Sequence, residues 1–288
     1  MPLGDDCAVL EIGDSTWVAA SDMLVSGHHF EDWATPEDVG YKAVAVNASD
    51  VAAMGGTPRF VLSSGAAPDP ETALRCSQGI VEACESFGVY PLGGDTTRAD
   101  ALAVDVTILG ELATQPVLRS GASPGDLLAV TGDLGASAAG LLALERGMSG
   151  PERLIRKCLR PEPRLEAGRA AARLGATAMI DLSDGLASDV GHVCDRSGAG
   201  CSVDLDLLPI NDDTRELAES LERDPEILAA TGGEDYELLI CAPGPILDAL
   251  ANNVEVPLTP IGEITRSEVV FMREGKPVQD LTGWNHFT

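Results

Sequence analysis

Short apolar runs alternate with polar, glycine-containing breaks along the chain, and their period switches between that of strands and that of helices. Residues 7–12 (CAVLEI) and 17–20 (WVAA) are β-type runs. Thr35-Pro36-Glu37-Asp38 is a helix start, with Thr35 as N-cap, Pro36 at the first helical position and two acids in the first turn. The helix is expected to run to about Met54, stopped by Gly55-Gly56. A strand follows over 59–65, and Asp69-Pro70-Glu71 opens a second helix that ends at Gly88. Next come a strand near 89–92, a turn at Gly93-Gly94-Asp95-Thr96-Thr97 and a strand over 102–112.

The passage 113–123, with Gln115-Pro116 and Ser120-Gly121-Ala122-Ser123, reads as a loop and carries the domain boundary, giving expected domains 1–115 and 116–288. The second part predicts a strand at 127–131 and helices near 135–147, 151–158 and 163–175. A strand at 177–182 feeds Ser183-Asp184-Gly185 and a helix to about Ser197, with later strands at 201–205, 236–241, 258–263 and 268–272. Both halves are of α/β (α+β) class.

Composition sharpens this picture. Of 288 residues 44% are apolar, enough for a core, but aromatics are 4%, so Ala, Val, Leu and Ile must fill it. Nineteen basic residues against 46 acidic ones give a net charge of −27, which excludes nucleic-acid binding through a basic patch and binding to anionic membranes. Only Lys42, Lys157 and Lys276 are lysines. An acid-rich, lysine-poor surface fits either a solvated coat for high salt or a coding bias, and both bear on solubility rather than chemistry. The start lacks the basic and apolar regions of a signal peptide, and no apolar run approaches the ~18 residues of a membrane span. Seven scattered cysteines without a CxxC pattern read as buried, reduced thiols. A cytoplasmic location is expected.

Neither a P-loop, a GxGxxG fingerprint, a Gly-x-Ser-x-Gly elbow nor a metalloprotease pattern occurs. Acids beside glycines in breaks stand out instead: Gly4-Asp5-Asp6, Ser21-Asp22, Asn47-x-x-Asp50, Gly93-Gly94-Asp95-Thr96-Thr97, Asp181-x-Ser183-Asp184-Gly185 and Gly232-Gly233-Glu234-Asp235. Asp22, Asp95 and Asp181 each close an apolar β-like run. Glycine lets backbone N–H groups approach a phosphate, and a neighbouring carboxylate suits Mg²⁺. Any one such pair is equally an ordinary turn, and Asn47 and Asp50 equally a solvated helix face. With three lysines and no P-loop, positive charge at a phosphate would have to be imported as metal. The residues alone point to a metal-dependent enzyme or a metal-binding protein.

Taken in order, G-D-D-C-A-V, S-D-M-L-V-S-G-H-H-F, Y-K-A-V-A-V-N-A-S-D-V-A-A-M-G, G-G-D-T-T, R-S-G-A-S-P-G-D, R-P-E-P-R, I-D-L-S-D-G-L, G-G-E-D-Y-E-L and G-W-N-H-F resemble the thiamine-monophosphate kinase family over nearly the whole chain. That family shares a superfamily with aminoimidazole ribonucleotide synthetase and selenophosphate synthetase. The resemblance implies a two-domain aminoimidazole-ribonucleotide-synthetase-like fold with N-terminal sheets pairing across a homodimer. It implies ATP-dependent phosphorylation of thiamine monophosphate to thiamine diphosphate by direct Mg²⁺-assisted transfer, with no covalent nucleophile. Asp6, Asp22, Asp50, Asp95, Asp181 and Asp184 match Mg²⁺ ligands. Gly94, Asp95, Arg119 and Ser183 match ATP contacts, and His29, Glu234 and Trp284 match the thiamine phosphate site. Read as residues, His29 fits a hydrogen bond at a strand end equally well, and Trp284 an anchor for the C-terminal segment. Family members carry a helical segment before G-D-D, where this sequence has three residues. The rival readings are selenophosphate synthetase, which resembles a Cys-plus-Lys site (Cys7 is present, but no Lys precedes Lys42), and a non-catalytic metal or nucleotide module.

Overall fold

The computed structural model describes residues 4–148 and 150–283. The N-terminal half comprises β1 (Ala8–Ile12), β2 (Ser15–Val25), α1 (Pro36–Ala53), β3 (Thr57–Ala67), α2 (Pro70–Phe87), β4 (Tyr90–Arg98) and β5 (Ala103–Leu112). The C-terminal half begins with β6 (Leu127–Thr131), α3 (Ala136–Glu145), α4 (Glu152–Leu159), α5 (Leu165–Leu174) and β7 (Ala178–Asp181). It continues with α6 (Leu186–Ser197), β8 (Gly200–Asp204), α7 (Asp212–Ser220), α8 (Pro225–Thr231), β9 (Leu238–Ala242) and α9 (Gly244–Ala251). It closes with β10 (Leu258–Thr265), β11 (Val269–Arg273) and β12 (Lys276–Val278).

The helix starts follow from local chemistry. Thr35 and Asp38 form a reciprocal capping box at α1, and the Asp69 carboxylate accepts from the Glu71 and Thr72 N–H groups at α2. Gly88 ends α2 in the left-handed conformation.

The first sheet has the order β1-β2-β5-β3-β4, antiparallel except for the β3–β4 pair. Alternation along β5 buries Val104, Val106 and Ile108 in a core shared with Val44, Ala48 and Val51 of α1. The other face lies open. Every residue of β4 is exposed, and Met23, Leu62, Tyr90 and Leu92 present apolar surface.

Two strands outrun their hydrophobic patterns. β2 continues through Asp22 to Val25, paired with β5 along its length. The expected turn at Gly93–Thr97 is instead the body of β4, parallel to β3 from Gly93 opposite Leu62 to Arg98 opposite Ala67. An edge strand needs only backbone pairing on one side, so polar side chains do not end it. Gly94 permits the approach: a Cβ there would fall 1.5 Å from the Ser63 carbonyl oxygen.

The second sheet has the order β12-β11-β8-β10-β6-β9-β7, with β8–β11 its parallel pair. Alternation sends Leu128, Val130 and Leu239 to a core that includes α6, and Ala129, Leu238 and Ile240 to one that includes α5 and α9. Helices α7, α8 and α9 and strand β12 were not expected from the sequence pattern. α1 joins the two halves: Ala52 and Ala53 belong to the α5/α9 core, and a Cβ at Gly168 of α5 would lie 2.1 Å from the Ala52 carbonyl oxygen. All seven cysteines are free and buried. Among the described residues, no helix is long and apolar enough to cross a membrane.

Candidate active site

Four carboxylates from separate elements converge where α1 meets β7. Asp6 precedes β1, Asp22 lies on the helix-facing side of β2, Asp50 is on α1, and Asp181 ends β7. They line a cavity of about 620 Å³ together with His29, Arg119, Ser183, Asp184 and Glu234. Oxygens of Asp6, Asp50 and Asp181 lie within 4.8 Å of one another. Asn47, which the sequence allowed to face water, is buried and donates to the Ala43 carbonyl at 2.9 Å.

Arg119 is the single Lys or Arg among the described residues lining this cavity. Its guanidinium donates to Asp6 Oδ1 at 2.6 and 3.2 Å, and its backbone N–H to Asp5 Oδ1 at 2.7 Å. The other Asp6 oxygen, Oδ2, is buried with no hydrogen-bond donor. One cation does not balance this cluster. Burial pushes the Asp6 carboxyl up to about 6 despite Arg119. Burial, reinforced by Asp6, pushes Asp181 up to about 8 although Ser49 donates to it at 2.6 Å. Asp50 is likewise raised, by burial and then by Asp181 and Asp22.

The remaining expected residues occupy distinct places. Ser183 and Asp184 lie in the loop between β7 and α6. Asp184 also forms a second group with Asp189 and His192, whose ligand atoms all lie within 4.8 Å of one another. Asp189 and His192, one helical turn apart on α6, were not singled out from sequence; the spacing Asp184-x4-Asp189-x2-His192 was the available signal. His29 lines the cavity while its Nδ1 accepts from the Val25 N–H at 3.1 Å, so the strand-end hydrogen bond is present too. Gly94 and Asp95 are not brought into the cavity by this chain. Asp22, Val106, Ser63 and Gly94 lie in one row across four strands, about 14 Å at ~4.8 Å per strand. The next residue, Asp95, points to the open sheet face, opposite that of Asp22. Trp284 lies outside the described residues.

The Gly232–Leu238 segment is built under strain. Glu234 (φ +64°) and Tyr236 (φ +50°) are both left-handed, a conformation costing roughly 1–2 kcal/mol for a non-glycine residue. Tertiary bonds hold it there. The Glu234 N–H donates to the Ser183 carbonyl at 2.8 Å, and Tyr236 N–H to that of Leu182 at 2.9 Å. Asp235, raised to about 7 by burial, accepts from the Gly135 and Ser137 N–H groups at the start of α3. Glu237 is bound by Lys157 at 2.5 Å and Arg164 at 2.6 Å.

A larger cavity of about 760 Å³ lies behind Glu237 and takes in both arginines of R-P-E-P-R. Its five basic residues are matched by five acids, Asp133, Glu152, Glu162, Glu237 and Glu255. It therefore lacks the charge imbalance that a ligand would relieve.

Residues 4–112 match the family model "AIR synthase related protein, N-terminal domain", and residues 123–273 match its C-terminal counterpart. The thiamine-monophosphate kinase of Escherichia coli K12 is 40% identical over 99% of this chain and 91% of that protein. The Mycobacterium tuberculosis enzyme of the same name is 38% identical over 99% and 85%. A solved structure described as AaThiL complexed with AMPPCP and TMP superposes with a TM-score of 0.90 at 33% identity, covering 99% of this chain and 92% of that one. The chain belongs to the AIR synthase related proteins and, within that fold family, to the thiamine-monophosphate kinases.

Proposed function

We propose that this chain phosphorylates thiamine monophosphate to thiamine diphosphate with ATP as co-substrate. The observation that carries the reading is the unbalanced carboxylate cluster, with a buried, unpartnered Asp6 oxygen, inside a fold whose relatives bear that name. An all-oxygen donor set fits Mg²⁺, and Asp6, Asp22, Asp50, Asp181 and Asp184 would hold it. Bound there, Mg²⁺ would supply positive charge against the phosphates of donor and acceptor.

The chain's own residues do the rest. Arg119, now spent on Asp6, is the one guanidinium among the described residues lining this cavity, and it can clamp a nucleotide phosphate bidentately. Ser183 offers a hydroxyl to the same cavity. His29 and Glu234 face the cavity together and would receive thiamine phosphate. The attacking oxygen belongs to a phosphate monoester whose second pKa is about 6, so it is ionised at neutral pH and needs no general base. No covalent intermediate is required.

Asp95 belongs in this scheme through a second copy. The open face of the first sheet exposes Met23, Leu62, Tyr90 and Leu92, and pairing these faces in a homodimer would cover them. A domain division at 115/116 and a cytoplasmic reaction, where ATP is available, complete the proposal. The selenophosphate-synthetase reading is disfavoured at Cys7: the thiol is buried, and burial followed by Asp50 holds its pKa well above the ordinary value, against thiolate chemistry. The test is mass spectrometry of products after incubation with ATP, Mg²⁺ and thiamine monophosphate. ADP and thiamine diphosphate are expected in equal amounts; ADP without thiamine diphosphate, or neither, rejects the proposal.

A further inference from the structure

Lys42 is one of three lysines in the chain and is 5% exposed. It sits on α1, about two turns before Asp50, and its Nζ lies 2.8 Å from Glu234 Oε1. It lines a small second cavity with Leu24, His29, Phe30, Trp33 and Leu159. Lys42 does not line the large cavity, whereas Glu234 does. The nearby Asp38 carboxylate is engaged by Arg160 at 2.6 Å.

We infer that Lys42 is a positioning residue that holds the Glu234 carboxylate in place for the acceptor substrate, acting from the other half of the molecule. This rests on the reading of Glu234 as a thiamine phosphate contact. The Glu234 backbone is set by C-terminal partners, Ser183 and Leu182 through neighbouring N–H groups. Its side chain has several free torsions, and the Lys42 ion pair is what joins that side chain to α1. Asp50 is on the same helix, so one rigid element sets the distance between the metal-binding acids and the acceptor's contact. A near-dry ammonium holds its partner through a strong, short charge-assisted bond. Losing it would leave Glu234, 28% exposed, free to turn toward water.

The experiment is steady-state kinetics of the full-length enzyme with thiamine monophosphate and ATP varied separately, for wild type, Lys42→Met, Lys42→Arg, Glu234→Gln and the Lys42→Met/Glu234→Gln pair, each with its melting temperature. Lys42→Met is expected to raise KM for thiamine monophosphate at least tenfold while KM for ATP stays within threefold. Lys42→Arg is expected to recover most of that loss. In the Glu234→Gln background, Lys42→Met should add less than twofold. A Lys42→Met enzyme that melts earlier but keeps its KM for thiamine monophosphate, or in which both KM values rise together, overturns the inference. Should Lys42→Met not fold, Lys42→Gln carries the test, with at least a threefold rise in the same KM expected and a wild-type value overturning it. A wild-type KM in Glu234→Gln, with product still formed, removes the role of Glu234 and that of Lys42 but leaves the kinase reading standing. Absence of thiamine diphosphate from the wild-type enzyme removes both.

Discussion

Replacing Asp181 by Asn should stabilise the protein when no metal is present. Asp181 is 2% exposed, and burial together with Asp6 raises its carboxyl from 3.8 to about 8. At ~1.36 kcal/mol per pH unit, the proton that folded Asp181 still largely holds near pH 7.5, and that the unfolded chain has released, costs at most about 5 kcal/mol of stability. Asp6 and Asp50 share this electrostatic load and relax when one charge is removed, so a net gain of about 1–3 kcal/mol is expected. Asn keeps an oxygen to accept the Ser49 hydroxyl, now at 2.6 Å. At ~2–4 °C per kcal/mol the rise in Tm is roughly 2–12 °C. The sign with pH follows from the same shifts. The folded state binds more protons than the unfolded one above about 4, because Asp6, Asp235 and Asp181 are raised to about 6, 7 and 8. Metal-free stability is therefore greatest near pH 4 on this account and falls as pH rises to about 8. The assay is calorimetry in chelator and 0.15 M salt at pH 5, 6.5 and 8. The gain from Asp181→Asn should grow with pH and be largest at 8. A variant that melts at or below wild type at pH 8 would refute the claim that burial and the neighbouring acids make this carboxyl a cost to the metal-free fold.

Mg²⁺ with a non-hydrolysable ATP analogue at a hundredfold excess over Kd should add ~2.7 kcal/mol, or roughly 5–10 °C in Tm. Salt at matched ionic strength should give less, and an equal shift would make the acids a solvated coat. Asp95→Asn should cost ~10²–10³ in rate, and a folded variant within threefold of wild type sinks its role. If Asp95 serves the partner's cluster, mixing Asp95→Asn with Asp50→Asn chains should restore about a quarter of wild-type activity, half the dimers being mixed with one intact site each. No recovery on mixing, with subunit exchange demonstrated, would reject the shared site. Thiamine monophosphate should be phosphorylated far better than thiamine at equal concentration, because thiamine lacks the phosphate that site-bound cations would hold; comparable rates would contradict this.

Local chemistry in the sequence determined most of the scaffold. Thr35-Pro36 and Asp69-Pro70 set the starts of α1 and α2 because capping involves residues three apart, and the run 102–112 marked the strand β5. Asp224-Pro225-Glu226 carries the same signal and caps α8. The acid-glycine motifs marked Asp6, Asp22, Asp50, Asp181, Ser183 and Glu234, all of which line one cavity. What remained lay in long-range register. Whether Gly93–Thr97 turns or pairs depends on β3 offering it an edge, and the face that Asp95 takes depends on that pairing. Lys42 meets Glu234 across 192 positions of sequence only because α1 packs against both halves of the molecule. A residue's period reports which side of its own element is buried; which other element arrives there is set by packing that no local window contains.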